Sequence, residues 1–451
     1  MALGKRKQEQ QGLWIATTEL PKSPGHPFYQ KLNELLAEAK FDDWIEKRCA
    51  PYYAATLGRP SIPPGVYFRM ILVGYFEGIG SQRGIAWRCS DSRSLAEFLG
   101  FPINEPTPDH SSLSRVHGRL PLELHEDVFV YVLKIAADKK LIKGKTAGVD
   151  STTLEANAAM KSIERKDTGE DYNEYLRRLA NDAGIENPTD EDLRRFDKNR
   201  SDKKVSNEEW QSPTDPDSRI AKMKDGTTHL AYKAEHVVDL DSELVLSATI
   251  TPANHSDAES MVDSVMNAQM NLEAAGVETK IKDVAADKGY HKVSTLELAD
   301  DLDFRTYIPE PKRKHHYRWI DKPAGQKEAT YANRRRVRGE RGKRLQRQRS
   351  EKVERSFAHV CETGGARRTW LRGLETVSKR YLLQVAARNL GLMMRKLFGI
   401  GTARSLQGLA GLFLPAYFAI EALFDREWMR RAISGANALS YRLRMAHCVR
   451  P

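Results

Sequence analysis

Three carboxylates, spread between residues 150 and 354, lie where they could bind divalent metal ions. Asp150 follows a strand-like run, Asp287 follows another at Ile281–Ala286, and Glu354 lies in the predicted helix RSEKVERSF. Acids at the ends of neighbouring strands meet at one edge of a sheet, and a helix beside that edge can supply a third. Two cations roughly 3.5–4 Å apart need such oxygen ligands, and they support in-line displacement at a phosphodiester.

Spacing alone does not establish this site, because an aspartate after a strand more often caps a turn. Whether the three acids form a metal site therefore has to be judged from the residues that flank them. The histidines near these segments (His229, His236 and His255) are expected to be structural rather than metal ligands.

The elements before Asp150 are predicted to be helices. Pro63–Gly78 begins with prolines suited to a first helical turn and has apolar residues at helical spacing. Asn104–Arg119 is predicted to start a helix with Thr107 as the N-cap and Pro108 at the first helical position. This pattern indicates an all-α unit over residues 1–140, of the kind that can dock a helix against DNA, and we expect it to be a DNA-binding domain.

The periodicity changes after Lys145. Strands are predicted at His229–Val238 and Leu244–Thr251, followed by a helix at Asp257–Gly276. Strands that alternate with helices indicate an α/β domain with a mixed sheet flanked by helices. We assign it residues 141–400, with a polar helical insertion at about 160–224. Residues 401–451 form a tail to which the sequence gives no role.

The charge of the chain favours a polyanionic partner. The 451 residues include 72 Lys and Arg against 61 Asp and Glu. Residues 311–349 hold 15 basic and 3 acidic residues, with aromatic side chains between them. Such a segment is either a solvated linker or a contact with nucleic acid, and its position before Glu354 favours DNA. Trp319 within it could stack on an unpaired base or pack on the domain.

Other classes of protein have little support in the sequence. The four cysteines are scattered without zinc spacing, which fits a reducing cytosol. No apolar leader follows the first residues, and the apolar stretch Leu409–Ile420 is shorter than the roughly 20 residues that span a bilayer. We therefore expect a cytoplasmic protein. Nucleotide-binding glycine loops and a GxSxG elbow are not found.

Five blocks in order give the chain a resemblance to a known family, the DDE transposases of bacterial insertion sequences. Their RNase H-like catalytic domain follows an N-terminal helical domain. The blocks are PTPDHSSLSRVHGRL with the helical segment before it, GVDSTTLEANA, HLAYKAEHVVD with the residues around it, ADKGY and VERSFAH.

The resemblance implies a function and a site. Asp150, Asp287 and Glu354 would be the catalytic metal ligands, binding two Mg²⁺ ions for which Mn²⁺ may substitute. The partners would be double-stranded DNA, as terminal inverted repeats and as target, and further copies of the chain in a homodimer or larger synaptic complex. The expected reaction is cleavage at the element's ends and joining of the 3′-OH to target DNA.

The chain departs from part of the family's pattern around the glutamate. Some relatives have a tyrosine and an arginine before it and a lysine after it. Here Arg347 and Arg349 precede Glu354, and Cys361 stands at the lysine position. The sequence therefore does not decide whether the DNA is cut through a hairpin intermediate. Glu351, one turn earlier, competes as third ligand, and Glu354 is preferred because Arg355 and Phe357 follow it as in the family.

Ten residues are candidates for contact with DNA: Lys288, Tyr290, Arg313, Lys314, Trp319, Arg334, Arg335, Arg336, Arg347 and Arg349. Two other functions remain open. A nuclease would use the same acids without joining strands, and a repressor or architectural protein derived from a transposase would bind DNA without cutting it.

Overall fold

The computed structural model describes residues 25–54, 58, 61–201, 205–223, 226–312, 319–320 and 323–406. Its first part is helical, as predicted. The helices are α1 Pro27–Glu38, α2 Phe41–Cys49, α3 Pro64–Glu77, α4 Gln82–Asp91, α5 Arg93–Phe98, α6 His110–Arg119 and α7 Leu122–Asp138.

The sequence explains the ends of two of these helices. Helix α3 begins with proline and ends at Gly78, whose positive φ of 71° favours glycine. The predicted N-cap of α6, Thr107, is wrong. Asp109 is the cap, since its carboxylate accepts hydrogen bonds from Ser112 N and Ser111 Oγ, both at 2.9 Å.

The second part of the chain is built on a mixed sheet. The six strands of this sheet are β1 Thr146–Glu155, β4 Arg219–Lys222, β5 Thr228–Asp239, β6 Val245–Pro252, β7 Asp283–Ala286 and β8 Arg305–Tyr307. Strands β2 Glu164–Arg165 and β3 Trp210–Gln211 form a small separate sheet. Strand β1 lies at the centre, antiparallel to β5 and parallel to β7, and β8 extends the parallel side. Strands β6 and β4 both pair with β5.

Helices flank this sheet and complete an RNase H-like fold, which confirms the predicted fold class. They are α8 Tyr172–Asp182, α9 Asp190–Asn199, α10 Asp257–Ala274, α11 Val293–Asp301, α12 Ala324–Arg338, α13 Glu340–Ala358 and α14 Leu374–Phe398. Helix α13 lies on one face of β1, where a Cβ on Gly148 would come within 2.9 Å of Val353 Cγ2. Helix α10 lies on the opposite face, where Ser151 Oγ donates to Asp257.

The predicted insertion contains α8, α9 and the β2–β3 pair. Leu176, Ala180 and Leu193 form a small hydrophobic cluster of their own, apart from the main core. The end of the predicted range differs from expectation, because Arg219–Lys222 is strand β4 and belongs to the main sheet.

One hydrophobic core runs through both the helical part and the sheet. Helix α14 connects them, since it packs on α7 and α3 and also on β6. Asn389 of this helix accepts from Val245 N and donates to Val245 O, which fixes α14 to the edge of the sheet. Among the described residues, no helix is long and apolar enough to cross a membrane. Residues 407–451 of the predicted tail lie outside the described residues.

Candidate active site

The sequence had placed Asp150 at the end of a strand, and this prediction was wrong. Asp150 lies in the middle of β1. The strand continues to Glu155 because β5 pairs with it as far as Ala231. Side chains alternate along a strand, so Asp150 shares the face of Gly148, beneath α13. One carboxylate oxygen accepts from Ser151 N at 2.8 Å, and the other accepts from Arg349 Nη1 at 2.6 Å.

Asp287 occupies the matching position on the neighbouring strand. Val149 pairs with Ala286 in the parallel β1–β7 register, and Asp287 follows in extended conformation with φ −73° and ψ 166°. The next residue in register is therefore Asp150, about 4.8 Å away at the backbone. By alternation both carboxylates belong to the face covered by α13.

Helix α13 crosses this face from β7 towards β5. Gln346 Nε2 donates to Ala286 O at 3.1 Å, directly before Asp287. Glu354 follows Gln346 by eight residues, which places it about 80° further round the helix. Ser350 Oγ donates to it at 3.1 Å. Glu354 is exposed to solvent.

Glu351, the competing third ligand, is directed elsewhere. It forms an ion pair with Arg355, which also bonds Glu243 Oε2 at 2.9 Å. Glu243 lies in the turn between β5 and β6, at the end of the sheet away from Asp287. The contacts of α13 therefore favour Glu354 over Glu351.

Asp150 and Arg349 form an ion pair at the centre of the site. The Arg349 residue is 8% exposed. Within the part of the chain that the structure describes, no three His, Cys, Asp or Glu side chains lie close enough together to hold a metal ion. Asp150 and Asp287 offer the oxygen ligands that a hard divalent cation prefers, but Glu354 is not gathered with them.

A second polar network behind Asp150 escaped the sequence reasoning. On the opposite face of β1 and β5, Ser151 and Lys233 both contact Asp257. Nearby, the buried carboxylate of Glu235 accepts from Ser260 Oγ and from Tyr290 OH, both at 2.8 Å. Burial raises the pKa of Glu235. The signal in the sequence is the pair Lys233 and Glu235, which share one face of a strand whose side chains are mostly buried.

The residues after Asp287 occupy different environments. Lys288 is exposed beside the carboxylates and can reach a phosphate. Tyr290 is 1% exposed, and its hydroxyl is bonded to Glu235. Tyr290 has no surface for DNA, so the contact expected from the sequence is replaced by a structural role.

The basic segment at 311–349 is largely folded into α12 and the first half of α13. Arg334 pairs with Glu310 at 2.7 Å, and Arg336 Nε donates to Thr306 O at 3.0 Å. Burial lowers the pKa of Arg336. These contacts tie both arginines to the sheet domain.

The remaining candidates in this segment differ in exposure. Arg335 and Arg347 are exposed. The ring of the half-buried Trp319 lies 6.0 Å from that of Tyr331, so the indole packs on α12. Arg313 and Lys314 lie outside the described residues.

Comparison with known protein families agrees with this architecture. Residues 19–119 match the transposase domain (DUF772), and residues 189–390 match the transposase DDE domain. Asp287 and Glu354 fall inside the second match, while Asp150 lies between the two. No curated protein and no solved structure matches the chain. A helical transposase domain followed by a DDE domain on an RNase H-like sheet shows that the chain belongs to the DDE transposases of insertion sequences.

Proposed function

We propose that the protein cleaves DNA at the ends of its own insertion sequence and joins the freed 3′-OH to target DNA. The observation that carries the proposal is the register of β1 and β7, which aligns Asp150 with Asp287 under a helix that bears Glu354. In a DDE transposase, acids in this arrangement are suited to phosphoryl transfer.

Each acid has a role in this proposal. Asp150 and Asp287 would hold divalent ions between neighbouring strands, and Glu354 would complete the set from α13. Bound Mg²⁺, or Mn²⁺ in its place, supplies activation of a water or 3′-OH and stabilisation of the leaving oxygen. Binding of a cation at Asp150 would break its ion pair with Arg349. The guanidinium of Arg349 could then bind a DNA phosphate.

The DNA would lie along the exposed cations around these acids. Lys288 follows Asp287, and Arg335 and Arg347 project from the two basic helices. They would bind the backbone of terminal inverted repeats and target, which makes affinity dependent on salt. Because two ends are processed together, we propose a homodimer or larger synaptic complex, working in the cytoplasm at the nucleoid.

Two observations favour the alternative of a DNA-binding protein without catalysis. Asp150 is neutralised by Arg349, and the three acids are not gathered within the described residues. Such a protein would bind terminal-repeat DNA equally well with and without Mg²⁺ and would cut nothing.

The experiment is an assay of cleavage and joining on labelled terminal-repeat DNA with Mg²⁺. We expect Asp150→Asn, Asp287→Asn and Glu354→Gln each to abolish both steps, because the amide keeps the size of the side chain but removes the charge that binds metal. DNA binding should be retained. Glu351→Gln is the matched control on the same helix and should stay active.

Three outcomes would contradict parts of the proposal. Wild-type protein that binds the DNA and never cuts it would establish the non-catalytic alternative. Cleavage without joining would indicate a nuclease. An inactive Glu351→Gln beside an active Glu354→Gln would reassign the third ligand.

A further inference from the structure

A cavity of about 380 Å³ lies between the N-terminal helices and α14, away from the carboxylates. Helices α3, α4 and α6 form one side, and α14 with the loop before it forms the other. The volume is within the range of about 300–1,000 Å³ that is usual for small-ligand sites. None of the described residues that line it is acidic.

Two arginines give this cavity a positive charge. Arg380 is partly buried and donates to Ile79 O at 3.2 Å and to Gly80 O at 3.4 Å. Burial lowers the pKa of Arg380 to about 10, so it is still charged at neutral pH. Arg83 is exposed at the rim. Neither arginine forms an ion pair with a described carboxylate. A partly buried cation without a counter-ion favours an anionic ligand.

An exposed indole stands next to these charges. Trp370 is 59% exposed, although its backbone is fixed. Asn157 Nδ2 donates to Trp370 O at 3.0 Å, and the preceding residue, Thr369, donates its N–H to Glu155 O at 2.9 Å. A held, solvent-facing aromatic ring is a surface on which a nucleobase can stack.

Polar groups for the edge of a base are present deeper in the cavity. His117 is 6% exposed, and its Nδ1 lies 2.9 Å from Tyr67 OH. Its buried Nε2 has no hydrogen bond of good geometry within the described residues, although the backbone of Thr376 lies close to the ring. Burial lowers the pKa of His117 to about 3 and outweighs the opposite effect of the Thr376 backbone, so the ring is neutral and each nitrogen can serve one partner.

Strand β1 connects this cavity to the carboxylates. The loop that carries Trp370 pairs with Glu155, five residues beyond Asp150 on the same strand. At about 3.3 Å per residue this separation is about 17 Å, a distance that a DNA strand covers in about five nucleotides. The residue that anchors the Trp370 loop is thus about five nucleotides from Asp150 along β1.

We propose that this cavity binds one unpaired nucleotide of the DNA on which the enzyme acts. Arg83 and Arg380 hold the phosphate, and Trp370 stacks on the base. The proposal rests on the proposed function for the source of the nucleotide. It assigns the N-terminal helices a part in holding a nucleotide that has left the duplex.

The test measures binding of the full chain to a labelled oligothymidylate and to a fully paired duplex, by fluorescence anisotropy in EDTA. Trp370→Ala should weaken oligothymidylate binding about 5- to 150-fold, the range expected for loss of one stacked base, and should change duplex binding little. Trp87→Ala is the matched control, because Trp87 is 67% exposed on α4 but does not line the cavity.

Arg83→Gln tests the phosphate contact. For oligothymidylate, the slope of log K against log salt should fall by about 0.7, the value for one phosphate on a single strand. Arg195→Gln, an exposed arginine of the insertion, should leave the slope unchanged. Both cavity residues are exposed, and thermal unfolding checks that the variants remain folded.

The results separate this inference from the proposed function. Equal losses from Trp370→Ala and Trp87→Ala, or oligothymidylate binding at the wild-type level in Trp370→Ala, would overturn the nucleotide site even if the wild type cleaves DNA. A wild type that never cleaves, with oligothymidylate binding that still depends on Trp370, would reject the enzyme and keep the site.

Discussion

At the scale of single residues, the ion pair between Arg349 and Asp150 controls the charge of the candidate site. The Arg349 side chain is 10% exposed and that of Asp150 is 23% exposed. In this setting the guanidinium supplies the positive charge that a bound cation would otherwise supply. We therefore expect arginine and divalent metal to compete for the same carboxylate.

This competition can be measured with Arg349→Met. Without divalent ions the variant should lose about 1–3 kcal/mol of unfolding free energy, below the 3–5 typical of a fully buried pair because Asp150 is partly exposed. Mg²⁺ should narrow the difference, because a cation at Asp150 replaces the lost charge. Urea unfolding with EDTA or Mg²⁺ gives both values.

Arg355→Met is the control for this prediction. Arg355 lies on the same helix in a more exposed pair with Glu243, and its loss should cost about 0–1 kcal/mol irrespective of Mg²⁺. An Arg349→Met variant as stable as the wild type in EDTA would show that the ion pair does not hold Asp150.

At the scale of elements, the contact between β1 and α13 sets the separation of the acids. Gly148 permits this contact, since a Cβ there would lie 2.7 Å from Leu240 Cδ2 and 2.9 Å from Val353 Cγ2. Gly148→Ala should therefore push α13 away from the strand. We expect a loss of about 1–3 kcal/mol in unfolding free energy, together with slower cleavage, because Glu354 moves with the helix.

Gly118→Ala is the comparison at this scale. A Cβ on Gly118 meets nothing within 4 Å, and alanine favours a helix interior, so this variant should be slightly stabilised and fully active. Thermal unfolding and the cleavage assay distinguish the two. Normal stability and activity of Gly148→Ala would mean that the position of α13 does not limit the reaction.

Elements also show how far the sequence could predict this molecule. The mixed sheet flanked by helices follows from local periodicity and was predicted correctly, but β4 was missed within the predicted helical insertion. The end of β1 was wrong, because β5 and the loop at Arg367–Thr369 set it from far away in the chain. The partners of Arg349 and Arg336 could not be predicted for the same reason. The sequence of the basic segment does not indicate which of its arginines become buried in the folded protein.

At the scale of the whole molecule, α14 packs on both the helical part and the sheet, and we therefore expect the two parts to unfold as one cooperative unit. Leu390 of α14 is buried in the shared core. Leu390→Ala should cost about 2–5 kcal/mol and should raise hydrogen exchange in α7 and β6 together. Leu176→Ala, in the separate cluster of α8 and α9, should raise exchange only in that pair. Exchange that rises in β6 but not in α7 would mean that the two parts unfold independently.

The unbroken run of β1 from Asp150 to Glu155 has a consequence for how such a chain can evolve. Along a strand, successive side chains point to opposite faces of the sheet. A single codon gained or lost between these two acids would turn the Asp150 carboxylate to the other face, or would turn the Glu155 main-chain groups that bind the Trp370 loop to the other edge of the strand. Mutation can therefore change which side chains this strand carries, but its length is protected from insertion and deletion.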